Sequence, residues 1–363
     1  MVICGAGVIG ASIAYHLALR GIGATVVERA GVACAASGKA GGFLALDWCD
    51  GSPLGPLARL SYAMHATLSR TIAKGCGYRE VTTFGVSVDG RGRSSGNSFR
   101  ESAWLDGAAA VYAQLGGTDT TAQVHPRLFT QALMDAAQRL GASLVRGRVE
   151  GLDIGDTPTR VRGVRVDGAL MPADVVVVAM GPWSGLATEW LPLPPVDGLK
   201  GFSITLKPKS PVPAEVLFVD YVDEDGVPMN PEVFPRPDGE VYLCGLSDNR
   251  PLPDDPSEIL ADRQATTTLR RIAAALSSSM DGAQVLTEHA CYRPVCADAL
   301  PLMGAVPGIA GAFVATGHNC WGILNAPASG VAMAELIATG ESTGVDLRPF
   351  TPARFSRSAM TLN

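Results

Sequence analysis

Near its start, the chain has the hydrophobic pattern of a strand, a helix and a second strand. Residues 2–4 are apolar, residues 11–20 have apolar side chains at helical spacing, and residues 24–28 are mostly β-branched or small. This order predicts a βαβ unit that opens a parallel sheet.

Similar patterns further along the chain predict the rest of this sheet. Residues 174–180 contain four consecutive valines, which is typical of a central parallel strand covered on both faces. Residues 128–140 have helical spacing and end at Gly141, a usual helix stop. The chain also predicts strands at 143–145, 160–166 and 312–315 and a helix at 325–338.

The middle of the chain predicts a second, antiparallel sheet. Alternating apolar and polar residues at 202–206, 216–219 and 240–244 indicate strands joined by proline-rich turns. A long helix is predicted at 257–276.

No strand of the two sheets is predicted in the region from 51 to 117. A helix at 57–74 gives way to glycine- and serine-rich connections such as 89–96. Such connections predict an inserted surface region and not part of a sheet core.

Length and composition narrow the class of protein. At 363 residues the chain exceeds the usual limit for one hydrophobic core, so we expect two domains. Its net charge is −6, and its lysines and arginines are scattered, which argues against a nucleic-acid partner. Apolar stretches are far shorter than the roughly 20 residues that span a bilayer, so we expect no membrane span.

The cysteines and the first residues bear on the compartment. The eight cysteines include no CxxC pair, so neither a metal site nor a disulfide framework is predicted. No secretory leader is visible, and we expect a cytoplasmic protein, or an organellar one if sequence upstream of the short first strand is missing.

The first candidate chemistry is the turn after the first strand. Gly5, Gly7 and Gly10 have the GxGxxG spacing between a strand and a helix, which is typical of dinucleotide binding. Gly5 permits the tight turn, Gly7 admits a pyrophosphate, and Gly10 lets the helix pack closely on the strand. Glu28 ends the second strand at the distance expected of a ribose-binding acid. The alternative is a glycine-punctuated turn with a surface glutamate.

This motif does not separate NAD from FAD, because both contain an ADP half. Residues 36–42, ASGKAGG, combine a hydroxyl residue with glycines and suit a second approach of backbone to phosphate and flat ring. A flexible surface loop is the alternative.

Seven segments in order resemble the FAD-dependent oxidoreductases of the D-amino-acid oxidase family, and the glycine oxidase and sarcosine oxidase branch in particular. The resemblance extends over nearly the whole chain. The segments are GAGVIG, VVERA, ASGKAGG, VHP, VVVVAMGPWS, CYRP and GHNCWG.

The resemblance implies an α/β fold of two parts. A Rossmann-like FAD-binding domain of the glutathione-reductase type is expected from residues 1–50, 120–200 and 290–363. A substrate domain with an antiparallel sheet is expected from the insertions 51–119 and 201–289.

The resemblance also implies which residues contact FAD. Gly5, Gly7, Gly10 and Glu28, followed by Arg29, would hold the ADP half. Val149 resembles the residue whose backbone pairs with adenine. The residues expected along the pyrophosphate, the ring and the turns that close over the cofactor are Ser37, Gly41, Gly42, Gly181, Trp183, Gly317, Asn319 and Gly322.

Three residues are expected to act at the substrate. His318 lies in the loop before the last helix, whose amides would face the flavin N1–C2=O edge; a hydrogen-bonded buried histidine is the alternative. Arg293 occupies the place of the arginine that binds a substrate carboxylate, and a salt bridge with a nearby acid is the alternative. Glu232 falls where glycine-oxidase-like sequences have a tyrosine; unless the alignment is shifted by a residue or two, it favours an amine or a larger cation.

Two family features remain open. Residues 242–247 contain no counterpart of the lysine that some sarcosine oxidases use to activate oxygen, so O2 is only one candidate acceptor. Cys291 lies near the position of covalent flavin attachment in some sarcosine oxidases, and a buried core cysteine is the alternative.

These observations lead to one main hypothesis. The resemblance implies hydride transfer to FAD from the carbon beside an amine nitrogen, followed by hydrolysis of the imine. One alternative is a flavin-binding protein without turnover, associated with trafficking. An NAD(P)-dependent dehydrogenase is the other, but it would leave ASGKAGG and GHNCWG unexplained.

Overall fold

The computed structural model describes residues 1–91, 102–106, 109–156 and 158–356. Its strands, in chain order, are β1 (Val2–Cys4), β2 (Thr25–Glu28), β3 (Phe43–Ala45), β4 (Arg79–Glu80), β5 (Thr82–Asp89), β6 (Ala109–Gly116), β7 (Thr121–Gln123), β8 (Ser143–Arg146), β9 (Val149–Asp156), β10 (Thr159–Val166), β11 (Ala169–Pro172), β12 (Val176–Val178), β13 (Asp197–Lys207), β14 (Glu215–Val222), β15 (Pro228–Met229), β16 (Glu232–Pro235), β17 (Val241–Asp248), β18 (Gln284–Val295), β19 (Leu302–Ala305) and β20 (Ala312–Thr316).

The α-helices alternate with these strands. They are α1 (Val8–Ala18), α2 (Ala36–Lys39), α3 (Gly55–Thr71), α4 (Pro126–Arg139), α5 (Arg263–Leu276), α6 (Gly322–Thr339) and α7 (Ala353–Ser356). Short 3-10 helices cover Gly181–Glu189, Pro256–Glu258, Asn319–Trp321 and Arg348–Phe350. Among the described helices, none has the length and apolarity needed to cross a membrane.

The first sheet has the strand order β19-β20-β12-β1-β2-β8, and all its pairs except β19–β20 are parallel. Because successive side chains alternate between the faces of a strand, Ile3 packs on the helical layer of α1, α4 and α6. Val2 and Cys4 pack on the opposite face, against the small sheet of β9, β10 and β11. The predicted βαβ unit and central valine strand are therefore confirmed.

The turn from β1 into α1 requires glycine twice. Gly5 has a φ of +106°, and a Cβ at Gly10 would lie 2.0 Å from the carbonyl oxygen of Gly5. The helix therefore packs on the strand as closely as the spacing predicts.

The second sheet is antiparallel except at one pair, with the strand order β18-β13-β17-β16-β14-β5-β6 and β15 paired to β14. Helix α5 covers one of its faces, where Leu269 and Ile272 pack against Ile204 and Leu243.

The prediction for residues 51–117 needs correction. Strands β5 and β6 belong to the second sheet, because Phe84, Val86 and Val88 alternate into its core. The glycine- and serine-rich connection begins at the end of β5, and its residues 92–96 lie outside the described part of the chain.

The predicted helix at 257–276 is also shorter in the structure. Asp262 caps the helix by accepting a hydrogen bond from the backbone N–H of Ala265 at 3.0 Å, so α5 begins at Arg263. The preceding residues form one 3-10 turn and then an irregular segment.

The segments 1–50, 120–200 and 290–363 contain every strand of the first sheet. The second sheet draws most of its residues from 51–119 and 201–289, although β13 and β18 cross the expected boundaries. The division into domains remains a prediction.

Candidate active site

A cavity of about 450 Å³ is lined by residues from both large sheets. On the side of the first sheet, its wall includes Gly7 and Glu28, which follow β1 and end β2. On the side of the second sheet, it includes Glu232 and Arg293. A concave site of this size suits a small molecule, and its position beyond the carboxyl ends of parallel strands is typical of nucleotide binding.

The glycine turn leaves no room for side chains beside the N terminus of α1. A Cβ at Gly5 would lie 2.5 Å from the carbonyl oxygen of Ala179, and one at Gly7 would lie 3.2 Å from Ser37 Oγ. Ser37 Oγ accepts a hydrogen bond of 2.9 Å from the backbone N–H of Val8. The positive end of α1 therefore meets the cavity at bare backbone, which suits a pyrophosphate.

Glu28 has its carboxylate fixed by backbone donors. Oε2 accepts from the N–H of Ala6 at 2.8 Å, and Oε1 accepts from the N–H of Ala30 at 2.9 Å. A carboxylate oxygen can accept further bonds, so this side chain is oriented for a ribose diol and still able to bind one.

Four further residues expected to contact FAD also lie in the cavity wall. They are Arg29, Val149, Gly181 and Trp183. The Arg29 guanidinium donates to the carbonyl of Asp254 and forms an ion pair of 3.0 Å with Asp255.

Residues 251–256, which we call the strap, cross from the second sheet to this wall. Trp183 Nε1 donates to the carbonyl of Pro253 at 2.9 Å, and Pro256 itself lines the cavity. Trp183 and Arg29 thus fasten the strap where the sequence predicts closure over the cofactor.

Two of the expected cofactor glycines are required by backbone packing. Gly41 lines the cavity, but Gly42 and Gly317 are not among the described residues of its wall. Gly42 has a φ of +85°, and a Cβ there would lie 2.0 Å from the carbonyl oxygen of Val124. Gly317 has a φ of +76°, and its Cβ would lie 2.5 Å from Cys296 Sγ. Both positions shape the loops behind the wall, and their direct contact with FAD remains a prediction.

The register of the second sheet builds the cavity floor. Phe218 pairs with Glu232, Glu232 with Cys244, and Cys244 with Ser203. Directly paired residues point to the same face, so these side chains form one row across four strands. Sequence reasoning did not single out Phe218, Cys244 or Ser203, since their proximity exists only after the strands pair.

Glu232 and Arg293 carry opposite charges in this cavity. Burial raises the pKa of the Glu232 carboxyl, while the Cys244 thiol, 3.7 Å away, and the positive charge of Arg293 oppose the increase. The alternative of a salt bridge between Arg293 and Asp298 is not realised, because Asp298 pairs with Arg354 at 2.7 Å. Among the described residues, Arg293 has no ion-pair partner within 4.0 Å, so its guanidinium is available to a ligand.

The loop before α6 brings His318, Asn319, Cys320 and Gly322 to the cavity. His318 is buried, and its Nε2 lies 3.1 Å from Ser329 Oγ. Burial lowers the pKa of His318 to about 3, so the imidazole is neutral at physiological pH. This favours the hydrogen-bonded alternative, in which His318 positions the loop.

The start of α6 is braced from α3. Pro327 removes the N–H that would bond the carbonyl of Ile323, and His65 Nε2 lies 2.9 Å from that carbonyl oxygen. The N–H of Ala328 donates to Ser61 Oγ at 2.9 Å. Side chains of α3 thus provide hydrogen-bond partners for backbone groups of α6 near Pro327, where the helix meets the cavity.

The fold and the cavity define a dinucleotide-binding oxidoreductase. One side of its site has the glycine turn, and the other has the charged side chains of the second sheet. The bare glycine turn, the oriented Glu28 and the long wall of both sheets fit FAD. A family model described as FAD dependent oxidoreductase matches residues 1–336, and the chain belongs to this DAO family. The protein is an FAD-dependent oxidoreductase, and the NAD(P)-dependent alternative is wrong.

Relatives of known name agree with this assignment. A putative oxidoreductase of Schizosaccharomyces pombe is 29% identical, with 97% of each chain covered. Glycine oxidase of Pseudomonas aeruginosa is 27% identical over 97% of this chain and 98% of its own. The crystal structure of glycine oxidase from Geobacillus kaustophilus has a TM-score of 0.80 at 24% identity, covering 97% of this chain and 98% of that one, and supports the fold.

Proposed function

We propose that the protein oxidises the C–N bond of an amino acid or related amine. The observation that carries this proposal is the pair of opposite charges, Arg293 and Glu232, in one cavity wall with the FAD-binding turn. A carboxylate bound by Arg293 would leave the amine end of the substrate within the field of Glu232. The similarity to glycine oxidase supports the same class of substrate.

Bound FAD supplies the hydride acceptor for the carbon next to nitrogen, and water then hydrolyses the product imine. The chain itself supplies binding, orientation and a dry site. Arg293 binds the substrate carboxylate through paired donors, and Cys244, Cys291 and Tyr242 restrict water at the floor. A neutral amine needs no general base, so the neutral His318 is compatible with this role.

The start of α6 would stabilise negative charge at the flavin. Gly322 lies in the cavity wall as the first residue of an 18-residue helix, so its positive end meets the site. His318, held by Ser329, fixes the loop that leads into this end. We therefore treat His318 as a positioning residue.

The proposed reaction also requires an acceptor for the electrons of the reduced flavin. O2 is the candidate acceptor, but none of the described residues of the cavity wall is a lysine. Cys291 lies in this wall with its thiol pKa raised by burial, and covalent attachment there remains a prediction.

Anaerobic mixing tests the proposed reaction. The purified flavoprotein is mixed with glycine, N-methyl amino acids, larger amino acids and amines without a carboxylate, and the flavin absorbance is followed. We expect at least one amine that carries a carboxylate to bleach the flavin. The concentration of this amine needed for bleaching should be much higher in Arg293→Met. Bleaching by dithionite but by no amine would overturn the proposal and support the flavin-binding alternative without turnover.

A further inference from the structure

Four aromatic side chains form a connected group beside the cavity floor. We call Phe43, Trp48, Phe218 and Trp321 the aromatic vestibule. Trp48 lies 4.8 Å from Phe218 and 5.0 Å from Phe43 between ring centroids, and Trp321 meets Trp48 edge to face at 6.5 Å.

The vestibule adjoins the charged end of the cavity. Phe218 is paired directly with Glu232, so the two side chains are neighbours on one face of the sheet. Trp321 lies between Cys320 and Gly322, which both line the cavity. Phe218 therefore places this group of rings beside Glu232, and the contact of Trp321 with Trp48 joins the group to the loop before α6.

Core packing leaves these rings incompletely buried, although Phe43, Phe218 and Trp321 also contact core clusters. Phe234, which contacts both Phe43 and Phe218, is 2% exposed, as expected of a core residue. All four vestibule rings retain partial exposure. Partly exposed aromatic rings near a carboxylate suit the recognition of an organic cation.

Glu232 completes this environment. Among the described residues, its carboxylate has no lysine, arginine or histidine nitrogen within 4.0 Å, and its nearest polar contact is the Cys244 thiol at 3.7 Å. The carboxylate can therefore accept a cation from a ligand without losing a protein ion pair.

We propose that the aromatic vestibule and Glu232 form a subsite for a second cationic group of the substrate. The substrate is then an amino acid whose carboxylate binds Arg293 and whose cationic arm extends past Glu232 between the rings. This deepens the proposed function and rests on it for the oxidised amine, although the subsite itself can be tested without turnover.

The test uses the FAD-loaded protein and two ligands of equal shape. ω-(Trimethylammonio)hexanoate carries the cation, and ω-tert-butylhexanoate has carbon in place of nitrogen; neither has an oxidisable amine. Calorimetry measures both dissociation constants. We expect the cationic ligand to bind at least about tenfold more tightly.

Variants assign this preference to the subsite. Glu232→Gln and Trp48→Leu should each reduce the ratio of the two dissociation constants towards one, whereas Arg293→Met should weaken both ligands alike. Tyr112→Leu removes an exposed ring from the same sheet outside the vestibule and should leave the ratio unchanged.

The outcomes separate the subsite from the reaction. Equal or tighter binding of the neutral ligand, or a preference that survives both Glu232→Gln and Trp48→Leu, would overturn the subsite. A preference that behaves as expected, in a protein whose flavin no amine reduces, would retain the subsite and reject amine oxidation.

Discussion

At the scale of single residues, Arg293 matters because it is a cavity-wall cation that has no ion-pair partner within 4.0 Å among the described residues. Arg293 lies on β18, and the nearby Asp298 is already bound to Arg354. Arg293 can therefore pair with a substrate carboxylate without breaking another ion pair.

Arg293→Met should mainly affect substrate binding. Removing one partner of a buried charge pair costs about 2–5 kcal/mol, so we expect the dissociation constant for an amino-acid substrate to rise at least about 30-fold. Anaerobic flavin bleaching at increasing substrate concentration measures it, with Arg354→Met as the matched variant outside the cavity. Equal effects of the two variants would contradict the assigned role.

Gly10 tests the close packing of the glycine turn. Gly10→Ala places a Cβ 2.0 Å from the Gly5 carbonyl oxygen, and the forced shift should lower the free energy of unfolding by roughly 1–3 kcal/mol. Denaturant unfolding measures this change. Gly344→Ala is the control, because its nearest neighbour would be 3.7 Å away, and comparable destabilisation by both variants would reject the packing argument.

At the scale of elements, the strap connects the second sheet to the cofactor side of the cavity. It is fastened by Arg29 and Trp183 at one end and by the Tyr292 hydroxyl, which donates to the Pro251 carbonyl at 2.8 Å, at the other. Tyr292 is thus a buried core residue that also anchors this segment.

Loosening the strap should speed the loss of FAD. In Asp255→Asn the ion pair with Arg29 is removed, and we expect release of FAD to accelerate several-fold, with a smaller difference at high salt. The rise in flavin fluorescence on dilution follows release. Asp346→Asn removes an ion pair with Arg348 outside the cavity and serves as the control. Unchanged release in Asp255→Asn would show that the strap does not retain FAD.

The elements differ in how well the sequence predicts them. The βαβ unit is predicted because Gly5 and Gly10 are required locally by backbone geometry. The strand β5 is not, because its alternation becomes meaningful only when β14 pairs with it in parallel. The start of α5 was signalled by Asp262 as an N-cap, a signal that the prediction overlooked.

At the scale of the whole molecule, buried neutral histidines make the stability of the fold depend on pH. Burial lowers the pKa of His65 to about 4 and that of His318 to about 3. On unfolding, the pKa of each histidine returns towards its ordinary value of 6.5. Each histidine therefore binds a proton on unfolding at pH values between its folded-state pKa and 6.5.

These two histidines should therefore leave the free energy of unfolding unchanged above pH 6.5 and lower it as the pH falls below 6.5. His65→Gln removes one titrating group while keeping a donor for the Ile323 carbonyl, so we expect its unfolding free energy to decline less steeply with acid. Denaturant unfolding across this range measures both proteins. Parallel pH profiles would contradict the neutral burial of His65.

The site as a whole illustrates the limit of sequence reasoning. The dinucleotide-binding motif predicts Glu28 in the cavity wall, and the family resemblance implies Arg29 and Trp183 there. The row from Phe218 to Ser203 depends on the register of four strands distant in the chain, which no local motif reveals.

The most direct test of the whole account is a crystal structure of the FAD-loaded protein. We predict the pyrophosphate at Gly7 and the N terminus of α1, the ribose at Glu28, and the flavin ring beside Gly322 with its open face towards Arg293 and Glu232. Density for FAD outside this cavity, or a ring whose open face is closed off from Arg293, would contradict the account.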